Sequence, residues 1–324
     1  MNFTIKGPTV HVPEKISIRK PLLIVGSCFA ENIGNIMQQQ LFDVQVNPFG
    51  IVYNPLSIAS QLQMIVTRKE FAQSDLFQHN ELWHSWHHHG SFSNAHTTSV
   101  LAAINKEIHD AHRQLLKADW LVITLGTAFY YTLPNQIIVS NCHKVPASQF
   151  NKKIATQAQI TNALQEAFEH IKILNPSIKI LMNVSPVRYV RDGLRENTIS
   201  KSLLHLSCDE LVQSNNNCFY FPSYEIVIDE LRDYRFYDAD MLHPNEQAIR
   251  YIYEKFSQLL FDAETILAIK SIDELNAFIG HRPLHPNREH NISREAKIDK
   301  MKQNLQQHYP FLSSRISGYH FSGY

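Results

Sequence analysis

Pro21-Leu-Leu-Ile-Val25, followed directly by Gly26-Ser27, is the stretch of sequence that decides the fold. A short apolar run that ends at a glycine is typical of a buried parallel strand followed by a tight turn. Immediately afterwards, Phe29, Ile33 and Met37 recur at helical spacing within residues 29–40. The opening of the chain therefore predicts a strand, a Gly-Ser turn and a helix.

The same unit recurs along the chain. Apolar runs predict strands at residues 118–125, 178–184 and 218–221. Amphipathic stretches predict helices between and after them, over residues 99–117, 156–173, 196–214 and 246–262. Strands that alternate with helices of this length predict an α/β protein with a parallel sheet and helices on both faces.

Polar residues follow several of these predicted strands. Gly26-Ser27, Gly126-Thr127 and Ser185-Pro186 each come directly after a strand. Because ligands of such sheets bind outside the carboxyl ends of the strands, we expect the functional site there.

Two segments lie outside the alternation. Residues 75–98 are rich in histidine and aromatic residues, which predicts an inserted hairpin or loop near the site. Residues 263–324 contain two helical stretches, at about 264–279 and 293–307, that either pack on the domain or form a loosely held tail. The predicted organisation is a catalytic domain over residues 1–262 and a helical C-terminal extension over residues 263–324.

The composition limits the classes of partner and the cellular compartment that we expect for this protein. Thirty basic and thirty acidic residues cancel, which argues against a nucleic-acid binder. The N-terminal residues contain no apolar core of signal-peptide length, and no apolar run reaches the length of a membrane span. Four cysteines without close pairing suit a reducing compartment. We therefore expect a cytoplasmic protein that binds neither nucleic acid nor membrane, and the sequence predicts no oligomeric state.

Ser27 is the first candidate nucleophile. A serine hydroxyl needs a neighbouring base, and at a strand-to-helix turn the Ser27 side chain is expected to face solvent. The main-chain N–H groups from Cys28 onward would then meet a developing oxyanion. Two alternatives stay open. Ser27 is a helix cap in one, and Cys28 is the nucleophile in the other, since adjacent residues point different ways and only one faces the base.

The candidate base lies in Asp240-Met-Leu-His243. Asp240 and His243 are three residues apart, so a turn can bring their side chains together. The carboxylate of Asp240 can then fix which ring nitrogen of His243 faces the nucleophile. The alternative is a polar loop before the last helix, with Asn245 as its cap.

Several ordered blocks of the sequence resemble a known family. Gly26-Ser-Cys-Phe-Ala30 spells the signature of the GSCFA family, which is related to the SGNH (GDSL-like) hydrolases. The resemblance extends over further blocks in the same order, namely Asn47–Pro55, His87–Ser93, Leu125–Ala128, Val184–Arg188, Phe221–Glu225, Arg232–Tyr237 and Asp240–Pro244.

This resemblance implies a three-layer, flavodoxin-like α/β/α sheet and the hydrolysis or transfer of an acyl group. It implies Ser27 as nucleophile, Gly50 as an oxyanion glycine, and Asp240 and His243 as the other members of a triad. The chain departs from the SGNH pattern at Ala128, which stands where an asparagine would donate to the oxyanion.

Three side chains are candidates to replace that donor: Thr127, Asn54 and His89. Arg188, after the third predicted strand, is a candidate to hold an anionic or hydroxyl-rich substrate. The adjacent histidines of residues 84–89 do not predict a metal site, because neighbours on an extended segment face opposite ways. No cofactor is predicted.

The function expected from these residues is a serine-dependent esterase that hydrolyses acyl esters, including O-acyl groups on carbohydrate. An O-acyltransferase with the same triad and a non-catalytic binding protein on the same fold are the alternatives.

Overall fold

The structure is a computed structural model that describes residues 5, 7, 9–281 and 288–318. Within these residues the strands are β1 (Leu22–Gly26), β2 (Val44–Val46), β3 (Phe77–His79), β4 (Leu82–His84), β5 (Trp120–Leu125), β6 (Phe129–Thr132), β7 (Ile138–Val139), β8 (Asn151–Ile154), β9 (Lys179–Val184) and β10 (Cys218–Tyr220). The helices are α1 (Cys28–Gln39), α2 (Pro55–Val66), α3 (Thr97–Lys117), α4 (Gln157–Leu174), α5 (Leu194–Ser214), α6 (Ser223–Glu225), α7 (Glu246–Leu260), α8 (Ala263–Gly280), α9 (Arg288–His308) and α10 (Ser313–Gly318).

A five-stranded parallel sheet forms the centre of the molecule, in the order β10-β9-β5-β1-β2. Numbered among themselves along the chain, these strands follow the order 2-1-3-4-5 of flavodoxin-like sheets. The predicted three-layer α/β/α fold is confirmed. The strand order reverses between β1 and β5, which places the carboxyl end of β1 at the position where such sheets bind ligands.

Both faces of the sheet are covered, which explains why its strands read as continuous apolar runs. In β1, Leu23 and Val25 pack with helices α2, α3, α4 and α5 in one core. Leu22 and Ile24 face the opposite core, which is built with α1, α7 and the C-terminal helices.

Two small sheets accompany the central one. The segment at residues 75–98 contains an antiparallel hairpin of β3 and β4. A three-stranded antiparallel sheet of β7, β6 and β8 was not predicted from the sequence. All four residues of β8 are exposed, so this strand carries no apolar alternation that would reveal it.

The C-terminal extension packs on the domain. Ile272 and Leu275 of α8, Leu305 of α9 and Ile316 of α10 are buried in the same core as β1. Arg315 donates to the carbonyl oxygens of Ile18 and Leu41 at 2.7 and 3.0 Å. The loosely held tail is therefore wrong for the described part of the extension. Residues 282–287 and 319–324, which the prediction also included, lie outside the described residues.

Candidate functional site

The turn after β1 is shaped by close approach to β5. Gly26 has a φ of +138°, and a Cβ atom there would lie 2.2 Å from the carbonyl oxygen of Thr124. The N–H of Gly26 donates to Oδ1 of Asn47 at 2.8 Å, and its carbonyl accepts from Val52 at 3.0 Å. Only glycine fits this position without moving the sheet.

Ser27 follows at the N-cap position of α1, yet its hydroxyl makes no capping hydrogen bond. The residue is 0% exposed. Its Oγ has no hydrogen-bond partner among the described residues. The expected exposure of Ser27 is wrong, because β1 is covered on both faces and the first residue after it is still inside the protein. The helix-cap alternative also finds no support, since the bond that defines a cap is missing.

Cys28 is the neighbour that reaches open space. This half-buried residue begins α1 and lines a cleft of about 1000 Å³ together with His243. Ser27 is not among the residues that line this cleft. Burial raises the pKa of the Cys28 thiol, partly opposed by the main-chain N–H groups at the start of α1 and by Lys201. The thiol is therefore protonated at neutral pH and needs a base in order to react.

Asp240 and His243 form a locally built pair. Oδ2 of Asp240 lies 2.6 Å from Nδ1 of His243. Oδ1 accepts from the main-chain N–H groups of Leu242 at 2.8 Å and His243 at 3.0 Å. These hydrogen bonds from His243 and Leu242 lower the pKa of Asp240 to about 2. The ionised carboxylate holds the proton on Nδ1, which leaves Nε2 of the neutral ring as the basic nitrogen.

The rest of this loop supports the pair. Both side chains are partly open to solvent, with exposed fractions of 46% for His243 and 45% for Asp240. Asn245 caps α7, since its side chain accepts from the N–H of Ala248 at 3.0 Å. The structure thus brings Asp240 and His243 together and puts Cys28 on the same cleft, but no hydrogen bond joins Ser27 to the His243 ring.

Two of the predicted oxyanion donors have other partners. The N–H of Gly50 donates to the carbonyl of Asn47 at 2.7 Å. Asn54 caps α2: its Oδ1 accepts from the N–H of Ser57 at 2.8 Å, and its Nδ2 donates to the Ser57 hydroxyl at 3.0 Å. Neither group is free to meet an oxyanion in this arrangement.

Of the other two predicted donors, Thr127 is engaged, whereas His89 is engaged through Nδ1 alone, which leaves its ring proton on Nε2. The hydroxyl of Thr127 lies 3.0 Å from that of Ser200 and accepts from the N–H of Phe129 at 3.2 Å. Nδ1 of His89 accepts from the N–H of Ser91 at 3.3 Å. His89 packs against Gly50, where a Cβ would lie 2.2 Å from the Cβ of His89. The first N–H groups of α1, which have no partner within their own helix, are further donors and lie beside Cys28.

The neighbouring histidines are structural. His88 is fully buried and stacks on Phe49 with ring centroids 4.5 Å apart. Burial lowers its pKa to about 3, so its ring is neutral. Nδ1 of His84 lies 2.6 Å from the hydroxyl of Ser93. No cluster of three or more metal-binding side chains occurs among the described residues.

Lys201 is a site residue that the sequence analysis missed. Its Nζ donates to the carbonyl oxygens of Gly126 at 2.7 Å and Ser185 at 2.6 Å, which follow β5 and β9 directly. Burial, reinforced by the charge of Arg188, lowers the pKa of Lys201 to about 7. No described carboxylate forms an ion pair with it. A signal was present, because Lys201 lies at helical spacing on the buried stripe of α5 that continues as Leu204, Cys208 and Leu211.

Fold and site together define a doubly wound α/β protein in which a cysteine and the histidine of a histidine–carboxylate pair line one cleft, with the cysteine directly after the strand at the topological switch point. The chain belongs to the GSCFA family, whose sequence model matches residues 21–256. That match includes the central sheet, the turn after β1 and the loop of His243, and it ends before α8. A search of curated proteins found no match. Within the described residues, no helix is both long and apolar enough to cross a membrane.

Proposed function

We propose that this protein is an acyl hydrolase that acts on ester bonds, with its nucleophile in the turn at residues 27–28 and with His243, oriented by Asp240, as its base. The observation that carries the proposal is the cleft that Cys28 and His243 line together. The same observation favours Cys28 over Ser27 as the attacking group.

The proposed reaction follows from the state of each group. His243, with its proton held on Nδ1 by Asp240, accepts the proton of the Cys28 thiol on Nε2. The thiolate attacks the acyl carbon, and the N–H groups at the start of α1 stabilise the negative oxygen. His243 returns the proton to the departing alcohol. Water, activated by the same ring, then releases the acid from the acyl-cysteine.

Ser27 is the second candidate nucleophile, and its unpartnered hydroxyl favours it. A buried polar group without a partner costs about 1–3 kcal/mol, so such groups call for an explanation. To act, Ser27 would have to turn toward the cleft. An esterase of this kind uses the triad Ser27, His243 and Asp240 that the resemblance implies.

The experiment compares three variants in the hydrolysis of p-nitrophenyl esters. We expect Cys28→Ala to lose roughly 10³-fold or more of kcat/KM, while Ser27→Ala keeps most of the activity. Cys28→Ser reports whether a hydroxyl at the same place suffices. Cys142→Ala, at another half-buried free cysteine, is the matched control and should keep full activity.

Other outcomes select other functions. An inactive Ser27→Ala beside an active Cys28→Ala, with a fluorophosphonate found on Ser27 by mass spectrometry, makes the protein a serine esterase. Faster product release on adding an alcohol or a sugar identifies a transferase. A wild-type protein that releases no acid from any ester and labels at neither residue is a binding protein, and the proposal fails.

A further inference from the structure

A second cleft lies on the other side of the His243 loop. The N–H of Arg188 donates to the carbonyl of Leu242 at 3.2 Å, so these two segments form a ridge. On one side of the ridge, Val187 and His243 line the first cleft. On the other side, Arg188 and Leu242 line a second cleft of about 480 Å³. Neighbouring residues of the same two segments thus face two different clefts.

The mouth of the second cleft is apolar and open to solvent. Leu194, Tyr234 and Met241 line it and have exposed fractions of 65%, 75% and 51%. Single exposed apolar residues are common, but several around one concavity mark a binding site. A volume near 500 Å³ falls in the range of small-molecule sites, which is about 300–1,000 Å³.

One positive charge in this cleft has no counter-charge. Arg188 forms no ion pair with any described carboxylate, and its buried Nε lacks a hydrogen-bond partner among the described residues. The side chain of Arg188 forms a hydrogen bond with Tyr237. Burial raises the pKa of the Tyr237 phenol, and the charge and hydrogen bond of Arg188 partly oppose that rise.

The other charged residues of the cleft are paired. Arg232 donates to Asp229 at 3.1 Å, and Asp233 lies 3.8 Å from Arg235. The cleft therefore combines an apolar mouth with a single uncompensated guanidinium, and its ligand must complement both.

We propose that the second cleft binds a carboxylate that carries an apolar chain or ring. The carboxylate pairs with the guanidinium of Arg188, a geometry in which arginine and carboxylate form two parallel hydrogen bonds. The apolar part of the ligand covers Leu194 and Met241 and removes them from water. The site does not depend on hydrolysis in the first cleft, and its test is a measurement of binding.

The probe is octanoate, titrated into the full-length protein by calorimetry. We expect binding to the wild type, and binding about tenfold weaker or worse in Arg188→Met, which keeps the length of the side chain and removes its charge. Leu194→Asp should abolish binding, because it places a like charge on the apolar wall. Acetate and 1-octanol, which each carry only half of the recognised chemistry, should bind at least about tenfold more weakly than octanoate.

Two matched controls lie on α5, the helix that begins at Leu194. Arg195→Met and Leu206→Asp change an exposed arginine and an exposed leucine of α5 that do not line the cleft, and both should bind octanoate as the wild type does. Because Leu194 is exposed, Leu194→Asp remains informative if Arg188→Met misfolds.

Four results would overturn the proposal. Three of them are no octanoate binding by the wild type, equal binding by Arg188→Met or Leu194→Asp, and equal binding of 1-octanol. A fourth is a change of molar mass in light scattering for Leu194→Asp, which would make the apolar mouth a contact between copies of the chain.

Discussion

The turn at residues 26–28 and the loop at residues 237–245 both supply groups to the proposed reaction, but they are held in different ways. The turn is held by distant parts of the chain, since Gly26 contacts Thr124 and hydrogen-bonds with Asn47. The loop is held largely by its own side chains, with Asp240 hydrogen-bonded to two residues within three positions, and Arg188 adds one main-chain hydrogen bond to Leu242. Gly26 and Ser27 of the turn are buried, whereas the side chains of Asp240 and His243 are nearly half exposed.

This difference separates chemistry from stability. Changes in the exposed loop should alter the reaction and leave the fold almost unchanged, because they remove no buried contact. Changes at Gly26 and Ser27, the buried residues of the turn, should alter the stability of the sheet.

Asp240→Asn should lower kcat/KM by roughly 10³–10⁴-fold, because the amide no longer fixes the proton on Nδ1 of His243. The melting temperature should hardly change, since an asparagine oxygen still accepts from Leu242 and His243. Steady-state kinetics and thermal denaturation measure the two effects. Asp209→Asn, at an exposed carboxylate of α5, is the control and should change neither. Full activity in Asp240→Asn would remove the pair from the reaction.

Gly26→Ala should destabilise the protein by about 3 kcal/mol or more, because its methyl group would lie 2.2 Å from the carbonyl oxygen of Thr124. Urea unfolding measures this loss. Gly90→Ala serves as the control, since the nearest heavy atom to its added methyl group is 3.9 Å away on His143. Equal stability of the two variants would show that the turn can shift enough to accept a methyl group at residue 26.

Lys201→Met should change how stability depends on pH. Folding lowers the pKa of Lys201 from 10.5 to about 7, so between these values the unfolded chain binds one more proton than the folded one. The wild type should therefore gain stability relative to Lys201→Met as the pH rises above 7, by on the order of 1 kcal/mol per pH unit. Lys270→Met, at an exposed lysine, should show no such difference. Parallel curves for wild type and Lys201→Met would contradict a buried, partly neutral amine.

Ser27→Ala should stabilise the protein by about 1 kcal/mol, because it removes a buried hydroxyl that has no partner. In the control variant, the free energy of unfolding should change in the opposite direction. Thr156→Ala should lose about 1 kcal/mol, since the Thr156 hydroxyl accepts from the N–H of Gln159 and caps α4. Chemical denaturation of both variants tests the contrast. Destabilisation of Ser27→Ala to the same degree would mean that this hydroxyl does cap α1.

The sequence predicted the features that depend on neighbouring residues. The apolar runs and helical spacing predicted the parallel sheet and most helices, because burial on both faces leaves a continuous apolar signature. The short spacing between Asp240 and His243 predicted their contact, since a turn brings such side chains together whatever surrounds it. The helices of the C-terminal extension were predicted too, but not where they pack.

Tertiary structure alone decided the features that depend on distant contacts. The approach of β5 to Gly26 buries Ser27 and leaves Cys28 on the cleft, and no local pattern distinguishes these adjacent residues. Asn54 and Thr127, two of the three proposed replacements for the missing asparagine, proved to have other partners, which only the packed loops reveal. The carbonyls that Lys201 binds lie 75 and 16 residues away in the chain. A sequence pattern reports whether a side chain is buried or exposed, but which atom it meets depends on segments that come together only when the sheet forms.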